Sequence, residues 1–277
     1  DAAFLGKVGD DPFGRFLELT FAEAGVDTRF MRFDPSTRTG LAFVSLQANG
    51  ERDFVFFRHP SADMLYRPDE IPDEALDGCR VYHFGSITLI QDPSRAATLD
   101  ALQRARERGA LISFDPNLRP PLWPSLDLAR REMLAALPLA DVVKVSEEEA
   151  EFLFGPGTLA EHGRKLLESG PQLAAITRGS EGSYLTTHDG VAVEVPGFTV
   201  PVADTTGAGD GFVAALLTKV LEHGLTGWSE ASLSDLGRFA NAVGALTCRR
   251  KGAIPALPTA AEVHQFLQEA TRPGSRQ

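Results

Sequence analysis

The sequence predicts an α/β fold: a mostly parallel central sheet with helices on both faces, plus a small β lid. Short, nearly continuous apolar runs at Val81–Gly85, Ala110–Asp115, Asp141–Val145 and Leu173–Thr177 alternate with amphipathic stretches at Pro93–Arg108, Leu126–Leu137, Glu147–Phe154 and Thr158–Ser169. Strands apolar on both faces, separated by helices, indicate a parallel sheet covered on both sides. A hairpin-like tract near the N-terminus stands apart from this alternation. With 277 residues, 43% of them hydrophobic, the chain can fill a sizeable core, and no repeat or linker divides it. The expectation is one α/β domain over residues 1–277, with a β-lid insertion at about 28–60.

Taken in order, Ala2-Ala3-Phe4-Leu5 reads as the end of a buried strand, followed by a helix from Phe13 to Ala24 with Phe16, Leu17, Leu19 and Phe21 on its apolar positions. Gly6-Lys7 is not a P-loop, because Asp1 stands where its leading glycine belongs and Val8 where its Ser or Thr belongs. From Thr28 the pattern turns to strands. Leu41–Leu46 and Asp53–Phe57 flank Asn49-Gly50, a strong hairpin signal. Such a hairpin needs a surface to cover and is read as a lid or an oligomer contact. Ser183–Thr187 and Val191–Val195 form a second hairpin around Asp189-Gly190. Helices are expected up to His223 from a start within Asp204–Gly207, from about Leu233 to Arg249, and from Thr259 to Ala270, with Arg272–Gln277 frayed.

Composition narrows the partners. A net charge of −11 argues against nucleic acid or an anionic membrane, while leaving room for a nucleotide held by a local positive patch. Cys79 and Cys248 are far apart, as suits packed thiols in a reducing compartment. No apolar run reaches the roughly 18 residues of a membrane span, nor does the opening stretch read as a signal peptide. A cytoplasmic location is expected. The six histidines show no metal-ligand spacing, and His83, inside a strand, is expected to be a hydrogen-bonded core residue.

The stretch Asp204-Thr205-Thr206-Gly207-Ala208-Gly209-Asp210-Gly211 precedes an apolar helical pattern. Glycines there would each cost a helix interior about 1 kcal/mol. At a helix entrance they let an anion reach backbone N–H groups at the positive end of the dipole. Asp210 stands inside that cradle. Phosphoryl transfer to an alcohol gives such a carboxylate a task, since it can orient the hydroxyl and take its proton while the amides hold phosphate charge. The same stretch would also serve as a plain glycine-rich cap, and spacing alone does not choose between the two.

Ligands in such sheets sit beyond the carboxyl ends of the strands. Asp115-Pro116-Asn117-Leu118-Arg119, Ser146 to Glu149, and Thr177-Arg178-Gly179-Ser180-Glu181-Gly182 all fall at that edge. Each alone reads as a turn or a solvated helix start. Together with the cradle they favour a nucleotide and metal site.

These residues resemble the ribokinase-like (PfkB) carbohydrate kinases, and within them the fructokinases. The cradle resembles the family's C-terminal signature. Phe57-Arg58-His59-Pro60-Ser61-Ala62-Asp63-Met64-Leu65, His83-Phe84-Gly85-Ser86-Ile87, Asp115–Arg119, Lys144-Val145-Ser146-Glu147-Glu148-Glu149 and Lys251–Pro258 extend the resemblance over nearly the whole chain. It implies an ATP-dependent kinase of the ribokinase-like fold with Asp210 as base and Gly207, Ala208 and Gly209 as anion hole. Glu149 matches the acidic end of an Asn-x-x-Glu motif linked to Mg²⁺ and phosphate, whereas Ser146 replaces its asparagine. Thr177, Gly179, Ser180 and Gly182 would line ATP, with Asn241 near the adenosine. Asp204, Thr206, Thr247, Arg250, Gly252 and Ala256 match a monovalent-cation loop, with K⁺ the expected ion. Arg58, Asn117 and Arg119 are assigned to the sugar or phosphate, Arg119 having a structural ion pair as its alternative.

Family members carry a first strand and a sugar-holding Gly-Gly-x-x-x-Asn segment ahead of the Gly6–Asp11 run, at which this sequence opens. The expectation is a piece of a longer chain rather than a chain that has lost much of its sugar pocket, because a strand missing from the middle of a sheet would leave a large apolar gap. The expected reaction is phosphorylation of the primary hydroxyl of D-fructose. The alternatives are a kinase for 2-keto-3-deoxygluconate or ribose, or a non-catalytic binding protein. The expected partners are sugar and ATP, with the lid closing over the sugar and offering a surface for a homodimer.

Overall fold

A computed structural model describes residues 1–46 and 52–270. The Asn49-Gly50 turn and the expected fraying of Arg272–Gln277 lie outside these residues. The chain forms two units, one of Asp1–Leu111 with Leu118–Glu132, the other of Ile112–Asn117 with Met133–Gln277.

In the first unit, strand β1 (Ala2–Ala3) and strand β2 (Gly6–Gly9) lead into helix α1 (Pro12–Glu23). Strands β3 (Val26–Asp27) and β4 (Met31–Asp34) return parallel to β1 and β2 respectively. The β1 residues are exposed, in contrast to the buried strand expected there. Helix α1 starts where the Asp11 carboxylate accepts the amides of Phe13 and Gly14, both at 3.0 Å. That carboxylate also accepts the amide and hydroxyl of Thr39, each at 2.8 Å. Lys7 is buried and paired with Asp34 at 3.2 Å and Glu70 at 2.8 Å, so the Gly6-Lys7 step ties strands together and holds no phosphate loop.

Strands β5 (Leu41–Leu46) and β6 (Arg52–Phe57) form an antiparallel hairpin where the lid was expected, with Phe43 opposite Val55. Phe43, Val55 and Phe57 lie exposed on one face, and the Phe43 and Phe57 rings meet edge to face at 5.5 Å. Strand β7 (Val81–Gly85) precedes helix α2 (Ser94–Glu107), whose Ala97 and Ala101 pack on Tyr66 and Ile71. His83 is exposed, contrary to the core position expected, because the two-residue period of β7 turns Phe84 inward instead.

Strand β8 (Leu111–Asp115) and helix α3 (Leu126–Ala136) follow, and the second unit continues with β9 (Val142–Ser146), α4 (Glu147–Phe154), α5 (Leu159–Glu168) and β10 (Leu173–Thr177). The hairpin β11 (Gly182–Thr187) and β12 (Ala192–Pro196) precedes helices α6 (Ala208–His223), α7 (Glu230–Thr247) and α8 (Ala260–Ala270). The strand order is β12-β11-β10-β9-β8, parallel from β8 to β10 and antiparallel thereafter.

Both sheet faces are covered. Gly163 of α5 approaches Tyr184 and Thr186 so closely that a β-carbon would come within 2.9 Å of each, while one at Gly237 of α7 would meet Leu185 and Val195 at 2.8 Å. Tyr184 and Leu185 are successive, so these helices sit on opposite faces of β11. Among the described residues no helix is long and apolar enough to cross a membrane.

Candidate active site

Helix α6 begins at Gly207, whose φ of +82° is left-handed and whose missing β-carbon would lie 3.1 Å from the Ala253 Cα. Glycine meets both conditions without strain. The Ala208 amide turns back to the Thr205 carbonyl at 3.3 Å, and the Gly211 amide closes on the Gly207 carbonyl at 2.8 Å. Asp210 stands exposed in this first turn, where the positive end of the helix favours a carboxylate.

The end of β9 is the start of α4. Ser146 Oγ accepts the Glu149 amide at 3.1 Å, and the Glu149 carboxylate accepts the Ser146 amide at 2.8 Å, a capping box that holds both side chains at the strand end. At the end of β8 the Asp115 carboxylate accepts the Asn117 amide at 3.1 Å, bending the chain through a left-handed Asn117 with φ of 44°.

Asp115 is 3% exposed and pairs with Lys144 of β9 at 3.2 Å. Burial pushes its carboxyl up to about 6 against the pull of the Lys144 ammonium, and the negative charges of Glu149 and Asp210 add to the rise. The ends of β8 and β9 and the entrance of α6 therefore share one electrostatic site.

At the end of β10, Thr177 Oγ1 reaches the Val145 carbonyl at 3.4 Å. Gly179, Ser180 and Glu181 form one turn that the Arg178 amide closes on the Gly182 carbonyl at 2.8 Å. Gly179 and Ser180 are exposed, and the Arg178 guanidinium is flanked by Glu147, Glu181 and Glu194. Asn241 is buried, and its amide donates to the Val195 and Pro196 carbonyls at 3.1 and 3.2 Å, which ties α7 to the end of β12.

Asp204 joins two segments behind the cradle. One of its oxygens accepts the Thr206 amide and hydroxyl at 2.9 and 2.7 Å, and the other accepts the Gly252 amide at 3.0 Å. The Ala203 and Asp204 amides both donate to the Cys248 carbonyl. Thr247 and Ala256 are buried beside them, while the Arg250 side chain turns away to Glu262 at 2.5 Å. Carboxylate, hydroxyl and carbonyl oxygens suit a hard cation, and Arg250 would take part only through its backbone. Among the described residues no group of three or more His, Cys, Asp or Glu side chains forms a metal cage. A single carboxylate such as Glu149 fits magnesium brought in with phosphates.

Two assigned residues belong to the first unit. Arg58 is buried, donating to Asp63 at 2.7 Å and to the Ile87 carbonyl at 3.4 Å. Arg119 is exposed, with its own neighbour's carbonyl, Leu118, at 3.1 Å. Sequence reasoning placed Asp115 at the site's edge without a role of its own and did not single out Lys144. The signal available was a lysine inside the otherwise apolar run Val142-Val143-Lys144-Val145.

An α/β sheet with a glycine-rich helix entrance and an exposed carboxylate in its first turn suits a phosphotransferase acting on an alcohol. The model of the pfkB family carbohydrate kinases matches residues 1–260. Fructokinase-1 of Zea mays is 47% identical over 270 residues, covering 97% of this chain and 83% of that protein. Among solved structures, Xylella fastidiosa fructokinase with bound ATP superposes with a TM-score of 0.86 at 35% identity, over 98% of this chain and 86% of that one. A double mutant of the Vibrio cholerae O395 fructokinase, bound to fructose, ADP and potassium ion, gives 0.84 at 37% identity, over 96% and 84%. The chain belongs to the pfkB family of carbohydrate kinases, and its fold is ribokinase-like.

Proposed function

We propose that this enzyme transfers the γ-phosphoryl group of ATP to the primary hydroxyl of D-fructose, giving D-fructose 6-phosphate. The observation that carries the reading is Asp210, an exposed carboxylate in the first turn of α6 at the mouth of the glycine cradle. Asp210 takes the proton of the sugar hydroxyl as its oxygen bonds to phosphorus and the bond to the ADP oxygen breaks. Backbone amides from Gly207 to Gly209 hold the charge that spreads over the transferring group. Glu149 is the residue that would hold the hydration shell of a magnesium ion brought in with ATP, which would supply positive charge at the phosphates.

The loop of Asp204, Thr206, Thr247, Arg250, Gly252 and Ala256 would take K⁺ and pre-organise the cradle beside it. Thr177, Gly179, Ser180 and Gly182 would face the nucleotide, with Asn241 supporting the adenosine side through the β12 carbonyls it holds. Arg58, Asn117 and Arg119 are our assignments for sugar and phosphate contact. Cys79 and Cys248, far apart in sequence, suit a cytoplasmic setting.

A coupled assay of ADP release over fructose, glucose, ribose and 2-keto-3-deoxygluconate tests this. Fructose should have the highest kcat/KM, and Arg58→Ala should raise the fructose KM while leaving ATP affinity little changed. A site that hydrogen-bonds chosen hydroxyls rejects analogues strongly, since its polar groups are then left unpaired. A better sugar than fructose would overturn the substrate assignment; no transfer to any sugar would overturn the kinase reading itself.

A further inference from the structure

Lys144 is a buried cation near the carboxyl end of β9. Its neighbours on β9, Val142, Val143 and Val145, are at most 1% exposed, and Lys144 itself is 7% exposed. Stability alone gives no reason for a lysine there. A buried ion pair must offset several kcal/mol of desolvation per ion, and well-packed apolar residues often replace such pairs without loss.

Its ammonium faces two ways. On one side stand the Asp115 oxygens at 3.2 and 3.4 Å. On the other is the cradle: a β-carbon at Gly209 would lie 3.3 Å from Lys144 Nζ. Glycine at 209 therefore leaves the space between the ammonium and the helix entrance open. An ammonium has three donors, and the two Asp115 oxygens occupy at most two of them. The surrounding charge points the same way. Asp115, Glu149 and Asp210 make up an acidic set whose mutual repulsion is felt at Asp115. An incoming phosphate needs a positive charge within that set.

Building on the kinase reading, we infer that Lys144 is a catalytic residue whose ammonium binds an oxygen of the transferring phosphoryl group beside the Gly207–Gly209 amides, and that Asp115 positions it. No bond to Lys144 forms or breaks, and its protons stay in place. Its charge lies beside the negative charge that builds up in the transition state. Aligned in neighbouring strands, Asp115 keeps the long side chain from folding away to solvent.

The test uses the full chain. Lys144→Met, a neutral side chain of similar length, should lower kcat for fructose phosphorylation about 10²–10³-fold, the scale of losing one preorganised donor. The KM for fructose should change little. Asp115→Asn should give a smaller loss, and Lys144→Arg should recover part of the activity. The double variant Lys144→Met/Asp115→Leu removes the uncompensated charge that each single change leaves. If the pair were only structural, this double variant would restore both melting temperature and turnover. Recovery of the melting temperature with kcat still low supports the assignment. A folded Lys144→Met or double variant with near wild-type kcat overturns it and leaves the kinase reading intact. An unmodified enzyme that phosphorylates no sugar removes both.

Discussion

Asp210 is the carboxylate to which we assign the proton of the sugar hydroxyl. Asp210→Asn keeps its size and loses its basicity, so turnover should fall about 10²–10⁴-fold. ADP binding, measured by calorimetry, should survive, because the amides and strand ends assigned to the nucleotide are untouched. Near wild-type turnover would remove the base assignment. Two other carboxylates link stability to pH with opposite signs. The Ser36 hydroxyl, with the Ser36 and Thr37 amides and Lys7, holds Asp34 far below the usual aspartate range. That stabilisation is present above about pH 4 and is lost as the pH falls further. Asp115, raised to about 6 by burial, binds a proton in the folded state that the unfolded chain has already released. Its contribution to stability therefore falls as the pH rises from about 4 to 6. Melting curves across pH 3–7 should show Asp34→Asn flattening the acid limb and Asp115→Asn flattening the rise-linked loss. An unchanged pH profile in either variant would contradict its linkage. The place of Asp210 in the first turn of α6 was legible from the glycine stretch. The Lys144–Asp115 pair was not, because it depends on Ser113 lying opposite Val142 and Phe114 opposite Val143, a register that hydrophobic periodicity does not specify.

At the scale of elements, α6 is held by a close approach just inside its entrance. A β-carbon at Gly211 would meet Thr247 Oγ1 at 3.0 Å and the side chains of Leu257 and Val243 at 3.2 Å. Gly211→Ala should thus force α6 and α7 apart and cost about 1–3 kcal/mol, the usual range for overpacking. The measurement is the melting temperature, and a variant as stable as the parent would show that the contact yields freely. Strands β8 to β12 were legible because short, nearly continuous apolar runs bounded by turn signals leave little choice. The pairs β1–β3 and β2–β4 were not, since two- and four-residue strands rich in glycine and charge give no alternation to read. The register of β2 rests instead on Lys7 reaching Asp34 and Glu70, contacts visible only in three dimensions.

For the molecule as a whole, the lid hairpin raises the question of assembly. Phe43, Val55 and Phe57 are each about half exposed or more, all on one side of a two-stranded ribbon. A two-stranded hairpin is marginal alone. We expect this face to pair with a second copy, and Phe43→Ser/Phe57→Ser should shift sedimentation from dimer to monomer. A parent protein that is monomeric at every concentration would refute this.

The strand order of the second unit has a further consequence, for synthesis. From β8 to β12 every strand pairs with the one next to it in sequence, so each closure spans a connection of one or two helices or a short turn. Short closures keep the entropic barrier low. A chain emerging from the ribosome at about 5–20 residues per second can lay these strands down in the order they appear. The edge exposed at any moment is then the one that the next segment to emerge will cover.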